Sequence, residues 1–154
     1  MLALSQLRDL IERTLKALDM YSEDAANLVL GTILVESKAI YLRQLRGGPA
    51  LGIIQMEPQT FEDIIENYLD YDPPLKEKVI EIANITRLEP QALEYNLVLC
   101  IIFCRLHYKR HYIKLYFLPD TLEEYAKDWK YYYNTHLGAG TEARFIEVYE
   151  KYLM

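Results

Sequence analysis

Glu36 closes an apolar run, residues 28–35, and is followed by Ser37 and a polar, basic segment. At helical spacing Leu28, Thr32, Val35 and Ser37 lie close to it, so the acid sits at the rim of a buried face. A carboxyl group there is desolvated, which disfavours the anion and raises its pKa. A raised carboxyl pKa is what a general acid needs near neutral pH. Spacing alone equally describes the first solvated residue after a buried helix, and both readings stand at this level. Other chemistry is poorly served. Cys100 and Cys104 lie one helical turn apart in an apolar run and read as buried structural thiols. The three histidines lack ligand spacing such as H-E-x-x-H, so neither a metal nor a cofactor is expected.

The elements that must position Glu36 read as helices. Leu7, Leu10, Ile11, Leu15 and Leu18 recur at helical intervals over residues 5–18. Ser22 caps a second helix that runs to about Ala39, with Glu23 and Asp24 suited to its positive end. Gly47, Gly48, Pro49 and Gly52 break the helical pattern over residues 43–53, the one place for a small hairpin. Pro58-x-Thr60 opens a third helix, with Thr60 and Asp63 spaced as a capping box. A short helix is expected over 75–84, and a long one over 91–112 whose middle is apolar all round, the mark of a central buried helix. Asp120 and Glu123 repeat the capping signal before a helix ending near Asn134. After residues 135–140, Thr141 caps a last helix with Phe145, Val148, Tyr149 and Tyr152 on one face. The expectation is an all-α fold, α+β at most through a tiny hairpin, in a single domain over residues 1–154.

Glu36-Ser37 followed by Ala50-x-Gly52-Ile53-Ile54-Gln55-x-x-Pro58-x-Thr60 resembles the lytic transglycosylase and goose-type lysozyme superfamily. That family reads Glu-Ser, a loop, then Gly-Ala-x-Gly-Leu-Met-Gln-x-x-Pro-x-Thr. Asn96-Leu97-x-x-Cys100-x-x-Phe103-Cys104 is similar to its Asn-Ile-x-x-Gly-x-x-Tyr-Leu stretch, and Tyr133-Asn134 to its Ala-Tyr-Asn-x-Gly motif. The likeness spans roughly residues 22–138 and leaves the N-terminal helix, residues 1–21, outside it. Pro49 stands for the usual Gly, Ile54 for Met, and Gly138 is displaced by two positions. The family's cleft serine falls at Leu45 or Arg46, neither of which preserves it. Cys100 stands for Gly, which implies wider helix packing there.

The resemblance implies a lysozyme-like helical domain around a central buried helix. Its activity would be cleavage of the β-1,4 bond between N-acetylmuramic acid and N-acetylglucosamine in a peptidoglycan glycan strand. Glu36 would protonate the leaving oxygen and then act as base. In transglycosylation the muramic 6-hydroxyl closes on the anomeric carbon and gives a 1,6-anhydro sugar. Gln55 would hold substrate by its amide, and Tyr133 would steer Glu36 or the N-acetyl group. Ser37 and Asn134 belong to the same substrate-binding set, Asn134 chiefly by ordering the loop. Glu57 stands where goose-type lysozymes place an Asp beside an attacking water. As a second carboxylate it would turn the reaction towards inverting hydrolysis, which needs the two carboxyls roughly 6.5–9.5 Å apart. Otherwise Glu57 is an exposed residue favoured at a helix N-terminus. Among the aromatics, Trp129 and Tyr133 are the helical pair that would share one face, either stacking on a sugar ring or packing in the core. Arg43 and Arg46 read as solvated charges, and residues 107–111 as a basic helix end.

The net charge of −6 argues against nucleic acid as a partner. The longest apolar run, residues 97–104, is too short for stable membrane insertion. The N-terminus is an amphipathic helix rather than a secretory signal. A protein made in the cytoplasm and acting at the bacterial wall would then be delivered by a virion or a lysis system. The competing reading is a catalytically inactive lysozyme-like module of a virion or scaffold, binding glycan or a protein partner.

Overall fold

The computed structural model describes residues 1–112 and 119–154, and within them the fold is all-α. The helices are α1 (Leu4–Ala17), α2 (Glu23–Ser37), α3 (Pro58–Asn67), α4 (Pro73–Ala83), α5 (Leu97–Tyr112), α6 (Leu122–Asp128) and α7 (Glu142–Leu153). Among the described residues none is long and apolar enough to cross a membrane.

Helix α5 is the axis. Residues 99–108 are all buried, and α1, α2, α3 and α4 each pack against it. Burial of this kind contributes about 1.5–3 kcal/mol for each large apolar side chain. Phe61 of α3 stacks on Phe103 with ring centroids 4.1 Å apart. Leu7, Ile11, Leu15 and Leu18 enter the same core, so α1 is an integral part of the packing. Both cysteines are buried and free.

Several helix starts differ from the pattern read in the sequence. The stretch 91–112 is not one helix: a 3-10 turn, Pro90–Glu94, precedes α5. Asn96 makes the break. Its Oδ1 accepts from the Leu99 N–H at 3.0 Å and its Nδ2 donates to the Ala83 carbonyl at 2.9 Å, tying α5 to the end of α4. Glu57 rather than Thr60 holds the cap position of α3, because Pro58 needs no amide partner in the first turn. Helix α6 is capped by Thr121, which accepts from Glu124 N–H at 3.2 Å, while Glu124 reaches back to the Asp120 N–H at 2.9 Å. Helix α4 begins at Pro73, capped by Asp72. Ser22 and Thr141 cap α2 and α7 as expected.

Two features shape the site. Helix α2 stops in two left-handed residues, Lys38 (φ 55°) and Ala39 (φ 54°). The expected hairpin reduces to two antiparallel bridges, Arg43 with Leu51 and Leu51 with Met56. Gly52 sits at φ 77°, where a Cβ would lie 2.4 Å from the Leu93 carbonyl and 2.7 Å from Cys100 Sγ. The bulk of Cys100 faces a bare backbone on the neighbouring loop, and its thiol donates to Leu93 O at 3.0 Å.

Candidate active-site cleft

Glu36 stands in the last turn of α2, where the negative end of the helix dipole already disfavours an anion. Burial is the larger effect and pushes its carboxyl up to about 7, opposed by one hydrogen bond from Trp129. The Trp129 indole Nε1–H donates to Glu36 Oε1 at 3.0 Å. The carboxyl lines a cleft of about 440 Å³, together with Gln55, Glu57, Thr60, Tyr133 and Asn134. The cleft adjoins a larger hollow of about 1210 Å³. The two share Thr60, His107, Tyr133, Thr135 and Leu137, and Glu36 lines the smaller one.

The loop after α2 supplies the opposite wall. Ser37 does not face the cleft: it is 1% exposed. Its hydroxyl donates to the Ile53 carbonyl at 2.6 Å and accepts from the Ala39 N–H at 3.2 Å. Its part is to fasten the loop to the end of α2. Gln55 lines the cleft from a left-handed backbone, φ 49°, with its amide donating to Gly52 O at 3.1 Å. A non-glycine residue held there is strained, and such strain gathers at functional sites. Gln44 closes the loop: its N–H donates to Ala50 O at 2.9 Å and its Oε1 accepts from Ala50 N–H at 3.1 Å. The segment around Arg43 thus borders the cleft without filling it, and Arg43 itself pairs with Glu94 at the surface.

The third wall is a π turn, Trp129–Asn134, that continues α6 and closes with Thr135 N–H on Lys130 O at 2.8 Å. Such turns recur at functional sites because they re-aim side chains that an α-helix would place elsewhere. Trp129 is 2% exposed and packs on Phe145 with centroids 5.7 Å apart. It offers no face to a sugar ring, which corrects the stacking role; its function is the bond to Glu36. Tyr133 lines the cleft, and of its two expected roles the steering of Glu36 is corrected. Its hydroxyl donates to Ile54 O at 2.6 Å and its ring packs on Tyr108 and His107, so it braces the Gln55 loop rather than steering the acid. Asn134 orders the loop, accepting from Lys130 Nζ at 2.7 Å while Lys130 also donates to Gly138 O at 3.0 Å.

Glu57 lines the same cleft as Glu36, at its exposed edge. His107 departs from the basic-helix-end reading. It is 7% exposed, and burial, then Arg110 and His111, lower its pKa to about 3, so it is uncharged at neutral pH. Gln44, Thr60, His107 and Lys130 were not singled out as site residues in the sequence. Of these, Thr60 stood in the Pro58-x-Thr60 motif and Gln44 in the turn-rich stretch 43–53; His107 and Lys130 gave no such signal.

Among the described residues no group of three or more His, Cys, Asp and Glu is arranged to hold a metal ion. What the arrangement can do is hold one half-buried, protonated carboxyl against a substrate lying in an open groove. Compared with known proteins, the chain matches no family model, no curated protein and no solved structure.

Proposed function

We propose that this protein is a peptidoglycan-cleaving glycosidase acting on the β-1,4 bond between N-acetylmuramic acid and N-acetylglucosamine, with Glu36 as general acid and then base. The observation that carries the reading is the Glu36 carboxyl, raised to about 7 by burial yet bordering a cleft. At neutral pH a good fraction of it holds its proton, as cleavage through an oxocarbenium-like transition state requires. The two adjoining hollows, about 440 and 1210 Å³, leave room for more than one sugar unit. The ordered motifs around Glu36, Gln55 and Tyr133 meet in that cleft, in keeping with a lysozyme-like arrangement.

Glu36 gives its proton to the leaving 4-oxygen as the anomeric C–O bond breaks. In transglycosylation the resulting carboxylate then takes a proton from the muramic 6-hydroxyl as it closes the anhydro ring. Gln55 offers an amide to the sugar. In the hydrolytic branch Glu57, which lines the same cleft, would take the proton of the water that attacks the anomeric carbon, and Glu36 would regain its proton from solvent.

Mass spectrometry of muropeptides released from purified peptidoglycan tests this, comparing the protein with its Glu36→Gln variant. Anhydro ends from the unaltered protein alone select transglycosylation; reducing ends alone select hydrolysis. No release from a folded protein overturns the enzyme and selects the inactive glycan- or partner-binding module.

A further inference from the structure

We propose that Trp129 is the positioning residue of this acid: its indole N–H holds Glu36 Oε1 as an acceptor and thereby leaves the acidic proton on Oε2, the oxygen free for the cleft. The proposal deepens the glycosidase reading, but its geometric core stands without it. An indole nitrogen can only donate. The oxygen 3.0 Å from it therefore presents a lone pair in either ionisation state, and because a carbonyl oxygen accepts more strongly than an acid hydroxyl, the contact favours the protonated Glu36 that carries its hydrogen on the other oxygen. Among the described residues no other side chain hydrogen-bonds Glu36.

The donor is itself fixed. Trp129 is buried against Phe145, and a Cβ on Gly140 would lie 2.4 Å from its Cη2, so the loop after the π turn closes directly over the indole. The π turn sends Tyr133 to Ile54, which frees the acid from any phenol partner. Tyr133 from the π turn and Cys104 and Tyr108 from α5 are the ionisable groups around Glu36, and burial raises all three, so they stay neutral through the neutral range. His107 is neutral above about 3, and Glu57 lines the same cleft without a hydrogen bond to Glu36. Asp128 precedes Trp129, has a pKa raised by burial, and accepts from Tyr112. His136 lies in the loop that closes over the indole, so the Glu36 proton is identified by a transition that Glu36→Gln abolishes.

The chain holds a single tryptophan, so its emission reports on the surroundings of this one indole. Emission of the unaltered protein is expected to change with pH about a midpoint near 7, and emission of Glu36→Gln to stay flat. Emission independent of pH between about 5 and 9, or the same transition in Glu36→Gln, overturns the proposal. In a folded Trp129→Phe the anion loses its donor, so the alkaline limb of cleavage should move up by about one pH unit. An equal loss at every pH would reduce Trp129 to packing and overturn the positioning role. The fluorescence arm needs no core substitution, so a Trp129→Phe that does not fold still leaves a decisive result. A fluorescence transition in a protein that releases no muropeptide would keep the Trp129–Glu36 pair and discard the glycosidase.

Discussion

The Ser37 hydroxyl donates to the Ile53 carbonyl at 2.6 Å, joining the residue next to the acid to the loop that carries Gln55. This bond ties α2 to the loop, which has no strand pairing with α2, only two isolated bridges within itself. Ser37→Ala leaves the Ile53 carbonyl and the Ala39 N–H without this partner in a buried place. Stability should fall by about 1–3 kcal/mol in denaturant unfolding, and KM should rise. The alkaline limb of activity should not move, since Ser37 does not touch the carboxyl.

A second expectation concerns pH. Glu36 has a folded pKa of about 7 against an ordinary 4.5, so between those values the folded chain binds more protons than the unfolded one. Stability from this group is greatest at low pH and is lost as pH rises towards 7. Glu36→Gln removes the penalty of the buried anion and should stabilise the protein by up to about 3 kcal/mol at pH 8.5, with little change at pH 4. Thermal unfolding at the two pH values checks it. Activity should fall with the same proton, declining above pH 7, and a rise there would remove Glu36 as the acid.

Glu57 divides the two reactions. Glu57→Gln should lower the yield of reducing ends by about 10²-fold or more if water is the nucleophile, and leave anhydro ends untouched. The residue is exposed, so its melting temperature should stay within about 2 °C of the parent. Product analysis of the single variant separates these outcomes.

Gly52 tests the packing beneath the site. Gly52→Ala would force a side chain into a left-handed backbone, with its Cβ 2.4 Å from the Leu93 carbonyl. A loss of about 2–4 kcal/mol is expected. Cys100→Gly should recover little of it, because the nearest clash is with backbone rather than sulfur.

The all-helical class, the buried α2 and α5, the break over residues 43–53 and the position of Glu36 at a helix end were all legible from the chain alone. They follow from periodicity and from glycine and proline, which act within a few residues. What holds the acid was not legible. Trp129 and Tyr133 have the same spacing and similar chemistry, and only the assembled fold sends one to Glu36, 93 positions away, and the other to Ile54. Asn96 breaks the long helix because Ala83 at the end of α4 is there to receive it. His107 is uncharged because the neighbours that bury it come from other parts of the chain. Helices arise from hydrogen bonds to the next turn. A pKa and a hydrogen-bond partner depend on what is packed alongside, and that only the tertiary structure decided.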